Sequence, residues 1–231
     1  MSLPILISVP HAGLRIPEEI TTLVELDQAE IRRDGDEQAA EIYGPLEPDV
    51  AAYVTTDIAR AFVDLNRAED DRRADGVVKT HTCFNVKVYN TELGEDLIET
   101  LLEKYHRPYH KKLTELAARG EARVGIDCHT MLATGPPVGP DPGRPRPAAC
   151  VSNLDGISCP TPWLTSLAAR LEEALGHEIA LNDPFKGGFI TRTHAAEIPW
   201  LQLEMSRGPF ATVREKSHAV REAIAKWAAE L

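Results

Sequence analysis

Short apolar runs alternate along this chain with longer segments in which apolar residues recur every three or four positions. The runs at 5–9, 50–55, 60–65, 123–127, 148–152 and 199–205 predict strands. Between Glu92 and Arg119 the residues Leu97, Leu101, Leu102, Tyr105, Tyr109, Leu113 and Leu116 keep helical spacing, with Pro108 set to kink or divide the helix. Two more helices are predicted over 162–175, stopped by Gly176, and over 213–231. Strands alternating with helices specify an α/β fold, one sheet with helices on its faces, in a single domain over 1–231. Residues 133–147, rich in Pro and Gly, cannot hold a helix or a central strand and must be a loop.

Composition narrows the function. With 43% hydrophobic residues in 231, the chain can bury one substantial core. Its 36 acidic and 25 basic residues give a net charge of −11, which opposes nonspecific attraction to nucleic acid or to an anionic membrane. An anionic substrate would therefore need a local cationic cavity. No apolar run approaches the ~18 residues of a spanning helix, and Met1-Ser2-Leu3-Pro4 has no signal-peptide character, so a cytoplasmic protein is expected. Cys83, Cys128, Cys150 and Cys159 are widely spaced and read as reduced thiols.

Candidate chemistry collects where the apolar runs end. Ile5–Val9 runs into Pro10-His11, and Val124-Gly125-Ile126-Asp127-Cys128-His129 delivers a second histidine, with Asp127 two positions before it and hence on the same strand face. Two imidazoles at strand ends suggest a metal, and a hydrolytic metal usually takes a third protein ligand. Asp34, Asp36 and Glu37 all compete for that place, and Asp36 is equally readable as the N-cap of a helix beginning at Ala39. Spacing does not choose among them.

Asp64-Leu65-Asn66-Arg67 sets an amide beside a guanidinium fork, a pairing suited to a carboxylate-bearing substrate, with Arg60 nearby. An Arg67–Asp64 ion pair is the plainer explanation. Lys186 and Arg192 flank Gly187-Gly188, where a backbone could approach a ligand closely. Glu204 is a lone acid in the apolar strand Trp200–Met205 and needs a reason to be there; it is either a general base or the buried partner of a cation such as Arg207. A Cys128 nucleophile served by His129 is disfavoured, because neighbouring strand residues face opposite sides.

In this order, the segments Ser8-Val9-Pro10-His11-Ala12-Gly13, Asp36 with Ala40-Glu41-Ile42-Tyr43, Asp64-Leu65-Asn66-Arg67, Arg107-Pro108-Tyr109-His110, Asp127-Cys128-His129-Thr130-Met131, Phe185–Arg192 and Gln202-Leu203-Glu204-Met205 resemble the N-formylglutamate amidohydrolase family. The resemblance implies a mixed sheet flanked by helices, like that of the zinc carboxypeptidases and phosphorylase-type hydrolases. It also implies Zn²⁺ or another divalent metal on His11, Asp36 and His129, with Glu204 as base. Asn66 and Arg67 would grip a substrate carboxylate, with Lys186 and Arg192 as further substrate cations, and Arg60 would face the oxyanion. The implied substrate is a small N-formyl or N-acyl acidic amino acid, N-formylglutamate first. If Asp36 is the ligand, neutralising Asp34 should change little. Glu37 departs from the family, where a bulky aromatic often follows the aspartate. A noncatalytic metal- or anion-binding domain of the same fold is the alternative, and a base beside the metal is what separates the two.

Overall fold

In the strand Ile5-Leu6-Ile7-Ser8-Val9 every second residue is apolar. In the computed structural model of the chain, which describes residues 2–231, Ile5, Ile7 and Val9 all join one core cluster. The strands β1 (Leu3–Val9), β2 (Val50–Thr55), β3 (Val124–Met131), β4 (Ala149–Ser152), β5 (Ile179–Leu181) and β6 (Trp200–Ser206) form one six-stranded sheet in the order β2-β1-β3-β6-β4-β5. Every neighbouring pair is parallel except β4 with β6, so the sheet is mixed.

Period-two alternation divides the sheet chemically. One face sends Ile126, Cys128, Leu201, Leu203 and Met205 into a cluster shared with the helices α2 (Ala39–Tyr43), α5 (Thr161–Leu175) and α7 (Val213–Ala228). The other face contributes Leu6 and Trp200 to a second cluster with Phe62, Tyr89, Leu101 and Leu113. Gly125 is required there, because a side chain at that position would strike the Trp200 indole. Towards the carboxyl ends of the strands this second face turns polar: Ser8, Asp127, His129, Gln202 and Glu204 are all buried. Open α/β sheets keep their ligands at that end.

The predicted helix over 92–119 is α3 (Glu95–Leu101), a π turn over Leu102–His106, and α4 (Arg107–Ala117). Pro108 sits in the first turn of α4, where its missing N–H costs little, and the wider turn precedes it.

Four expectations are corrected. Residues 60–65 are not a strand, although Ala61, Phe62, Val63 and Leu65 are buried. Their backbone is satisfied by turns, Phe62 and Val63 N–H donating to Ala59 O, and by Asp64 N–H donating to Val77 O, so apolarity there reflects packing beneath a loop. The strand predicted over 123–127 continues to Met131, which puts His129 within it. The last helix stops at Ala228. Asp36 does not cap α2, whose first residue is preceded by Gln38 in the left-handed region.

Elements not foreseen are α1 (Gln28–Asp34), closed by a capping box between Asp27 and Glu30, the three-residue β5, and α6 (Phe189–His194). Among the described residues no helix is long and apolar enough to cross a membrane.

Candidate functional site

His11 leaves the end of β1 in a turn, and its carbonyl accepts the Asp36 N–H at 3.1 Å, which draws the loop after α1 against the sheet. His129 projects from β3 beside them. The Asp36 carboxylate is further held by the Thr130 N–H at 3.2 Å. Three donor atoms consequently converge. His129 Nδ1 lies 2.9 Å from Asp36 Oδ2 and 3.2 Å from His11 Nδ1, and His11 Nδ1 is 3.5 Å from the same carboxylate oxygen. A tetrahedral ion with bonds of about 2.0–2.1 Å needs donor separations of roughly 3.3–3.4 Å, so the triangle fits a zinc-sized cation. These are the described residues grouped closely enough to hold a metal.

Each imidazole is fixed from behind by a carboxylate. His11 Nε2 meets Asp64 Oδ1 at 2.9 Å, and His129 Nε2 meets Asp127 Oδ2 at 2.8 Å. Carboxylates only accept, so both Nε2 atoms carry a proton, and it is the two Nδ1 atoms that turn towards Asp36. Burial opposes ionisation of Asp64, but His11 and Arg60 outweigh it and hold its carboxyl well below the usual range. Burial also opposes a charged His129; Asp127, Asp36 and Glu204 override it and raise the ring well above its ordinary value. Such a concentration of acids calls for positive charge between the rings, and a divalent cation meets that demand.

Glu204 stands opposite His129 in the parallel ladder of β3 and β6. Gln202, two residues earlier on the same face, donates its amide to Glu204 Oε1 at 2.9 Å. Burial, assisted by Asp36 and offset by His129, pushes the Glu204 carboxyl up to about 7. Neither the buried ion pair with Arg207 nor one with any other cation forms at Glu204 among the described residues. A carboxyl poised near neutrality beside a candidate metal site is suited to carry protons.

The loop after β2 is pinned from several sides. Asn66 gives its amide to Asp127 Oδ2 at 3.0 Å and accepts the Ile190 N–H at 2.8 Å, and any side chain at Gly188 would collide with it. His106 and His110, from the helix behind, bond the carbonyls of Arg67 and Leu65 at 2.8 and 2.9 Å. Tyr109 reaches Ser8 Oγ at 3.0 Å, and Ser8 donates to Asp127 Oδ1 at the same distance. The Arg107-Pro108-Tyr109-His110 segment thus orients the site without touching its centre.

The cavity above the triangle is lined by Glu204, Asn66, Arg60, Arg67, Lys79, Arg146 and Arg207, and by Pro136, Val138 and Gly139 from the Pro-rich loop. That loop is a folded turn, closed by the Thr134–Pro145 bridge and a bidentate Arg146–Asp141 pair at 2.6 and 2.8 Å.

A family model described as N-formylglutamate amidohydrolase matches residues 3–210. The N-formylglutamate deformylase of Pseudomonas putida is 30% identical over 224 residues, which cover 90% of this chain and 82% of that protein. The one from Pseudomonas aeruginosa strain PAO1 is 30% identical over 247 residues, covering 96% and 90%. The chain belongs to the N-formylglutamate amidohydrolase family. It is by that membership a hydrolase of amide bonds. The solved N-formylglutamate amidohydrolase of Ralstonia eutropha JMP134 shares the fold, with a TM-score of 0.80 at 20% identity over 100% of this chain and 96% of that one. A gene product of Agrobacterium tumefaciens gives a TM-score of 0.76 at 19% identity, covering 98% and 90%.

Within this amidohydrolase, His11, Asp36, His129, Glu204, Arg60, Asn66 and Arg67 all reach the cavity, whereas Lys186 and Arg192 do not. Lys186 is exposed and paired with Asp155 at 2.8 Å, and Arg192 is exposed on α6; the glycine turn presents Phe185, Gly187 and Gly188 to the cavity instead. Asn66 has its amide committed to Asp127 and Ile190, so it braces the loop against the His129 side of the site. Asp34 lies outside the candidate metal-binding group. It is buried against Lys79 at 2.8 Å and the Cys83 N–H at 2.8 Å, and Lys79 with Arg60 outweighs burial to hold its carboxyl at about 2. Its neutralisation would strand a buried lysine, a physical reason to expect a cost in stability where the sequence suggested little change. Glu37 is exposed, and Cys128 faces the apolar cluster with a thiol that burial pushes well above its usual range. Lys79 and Arg146 were not foreseen, and Arg207 was foreseen only as a partner for Glu204; all three line the cavity.

Proposed function

We propose that this protein hydrolyses the formyl amide of N-formylglutamate, or of a closely similar N-acyl acidic amino acid, with zinc as the first candidate among divalent metals. The observation that carries this reading is the His11 Nδ1, Asp36 Oδ2 and His129 Nδ1 triangle with Glu204 as the register partner of His129. The names of the relatives support the substrate.

When bound, a divalent cation supplies Lewis acidity, acidifying water and polarising an amide carbonyl. Glu204 accepts a proton from the attacking water and returns it to the departing nitrogen, giving formate and the free amino acid. Its carboxyl near neutrality suits both transfers. Arg60 is proposed to face the developing oxyanion through Nη2, since its Nε is bonded to Asp64 at 2.9 Å and its Nη1 to Asp34 O at 3.0 Å. Arg67, which lines the cavity, is 30% exposed and is paired at 3.3 Å with Asp75, is our candidate to meet the side-chain carboxylate of the substrate. Asp64 and Asp127 fix the imidazoles, and Asn66 braces Asp127.

Formate release from N-formylglutamate tests the reading. Activity should vanish on chelation and return with zinc; a metal-free protein that turns over at the same rate would refute it.

A further inference from the structure

Five cations line the cavity of this net-acidic protein, and four of them already hold a carboxylate of the chain. Arg60 meets Asp64 at 2.9 Å, Arg67 meets Asp75 at 3.3 Å, Lys79 meets Asp34 at 2.8 Å and Arg146 meets Asp141 at 2.6 Å. Arg207 is different. Among the described residues it forms no ion pair; one Nη donates to Gly35 O at 3.2 Å, and its Nε is buried with no partner. Leaving a guanidinium N–H buried and unbonded is costly, so an acceptor from outside the chain is the natural complement. A carboxylate offers two acceptors to the guanidinium fork.

The position of Arg207 says which carboxylate. It directly follows β6, which carries Glu204, and its backbone N–H donates to Met131 O at 2.8 Å, at the end of the strand that carries His129. Its side-chain contact is Gly35, the residue before Asp36. Arg207 therefore ties the two chain segments that deliver Asp36 and His129, to the first through its guanidinium and to the second through its backbone. An N-formyl amino acid with its amide at the triangle has its α-carboxylate one carbon from the amide nitrogen, whereas the side-chain carboxylate of a glutamate lies two methylene groups farther along the molecule and is left to another cavity cation such as Arg67. We infer that Arg207 binds the α-carboxylate of the substrate and so sets the position of the amide over the metal site; this rests on the amidohydrolase reading above.

The test uses N-methanesulfonyl-L-glutamate, whose sulfonamide resists hydrolysis, together with its α-amide and its side-chain amide. Binding of each to the zinc-loaded protein is measured by calorimetry. The parent should bind the diacid about 30-fold or more tightly than the α-amide. Arg207→Gln, with zinc content and thermal midpoint checked, should weaken the diacid by a similar factor and bind diacid and α-amide within threefold of each other. Its preference for the diacid over the side-chain amide should persist. Arg207→Lys, which keeps the charge without the fork, should recover part of the lost preference, and is read in the same way should the Gln variant fail to fold. A Gln variant that keeps the α-carboxylate preference, that weakens all three ligands equally, or that loses only the side-chain preference overturns the inference. Formate release from N-formylglutamate by the parent is followed in parallel. If the parent shows the α-carboxylate preference yet releases no formate, the deformylase reading fails, while loss of that preference in Arg207→Gln still supports Arg207.

Discussion

His129 and Glu204 are partners in the parallel ladder of β3 and β6, so an imidazole with its Nδ1 in the His11–Asp36–His129 triangle and a carboxyl raised to about 7 share one edge of one sheet face. Two adjacent central strands hold them, which is the rigid placement that proton transfer to a fixed centre requires.

Removal of the carboxylates behind the imidazoles should weaken metal retention without unfolding the protein. Asp127→Asn and Asp64→Asn are each expected to lower zinc affinity about 10–100-fold, by loosening the His129 and His11 rings. His11→Ala and His129→Ala should lose most of the zinc. Competition with a zinc-binding dye measures all four, and unchanged affinity in the two Asn variants would mean that the carboxylates are only packing partners.

The Lys79–Asp34 pair is fully buried, and breaking it should be expensive. Lys79→Met, which leaves Asp34 as an unpaired buried acid, is expected to cost about 3–5 kcal/mol in denaturant unfolding, whereas the double change with Asp34→Leu should recover much of that loss. A single variant of parental stability would show that the pair is not confined as described.

Burial, reinforced by His106 and His194, pushes the His110 ring down to about 3 from its ordinary 6.5. Its folded-state pKa is thus depressed, and the unfolded chain takes up the proton first. Stability from this group is fully present above pH 6.5 and drains as the pH falls towards 3, at up to about 1.4 kcal/mol per pH unit. His110→Asn should flatten the stability profile between pH 6.5 and 4.5 at equal metal loading. Parallel profiles for parent and variant would contradict this.

Arg67 lines the cavity, partly exposed and paired with Asp75 at 3.3 Å, so Arg67→Ala should act chiefly on KM. A rise of about tenfold for N-formylglutamate, with little change for its side-chain amide, is expected. Equal rises for both substrates would make Arg67 a support for the loop.

Much of this site was legible because strand alternation is a strict rule. Once 5–9, 123–127 and 199–205 read as strands, parallel pairing in one sheet would bring His11, His129 and Glu204 to one end, as it does, and Asp127 had to share the face of His129. Residues 60–65 misled because buried loop residues are as apolar as strand residues; the turn bonds to Ala59 O and the Asp64–Val77 hydrogen bond reveal the difference. The Asp34–Lys79 pair and the Arg207–Gly35 contact join residues 45 and 172 positions apart, and no local pattern announces them. Lys186 and Arg192 flanked a glycine turn as expected of ligand-binding cations, yet the turn aims its backbone inward and its charges outward.

Glu204→Gln tests the whole arrangement most directly, because it keeps the shape of the side chain and removes its ability to take a proton. Zinc content and fold should survive, while kcat for N-formylglutamate falls by roughly two to four orders of magnitude. Normal turnover in a zinc-replete Glu204→Gln variant would contradict the role given to Glu204 and, with it, the mechanism.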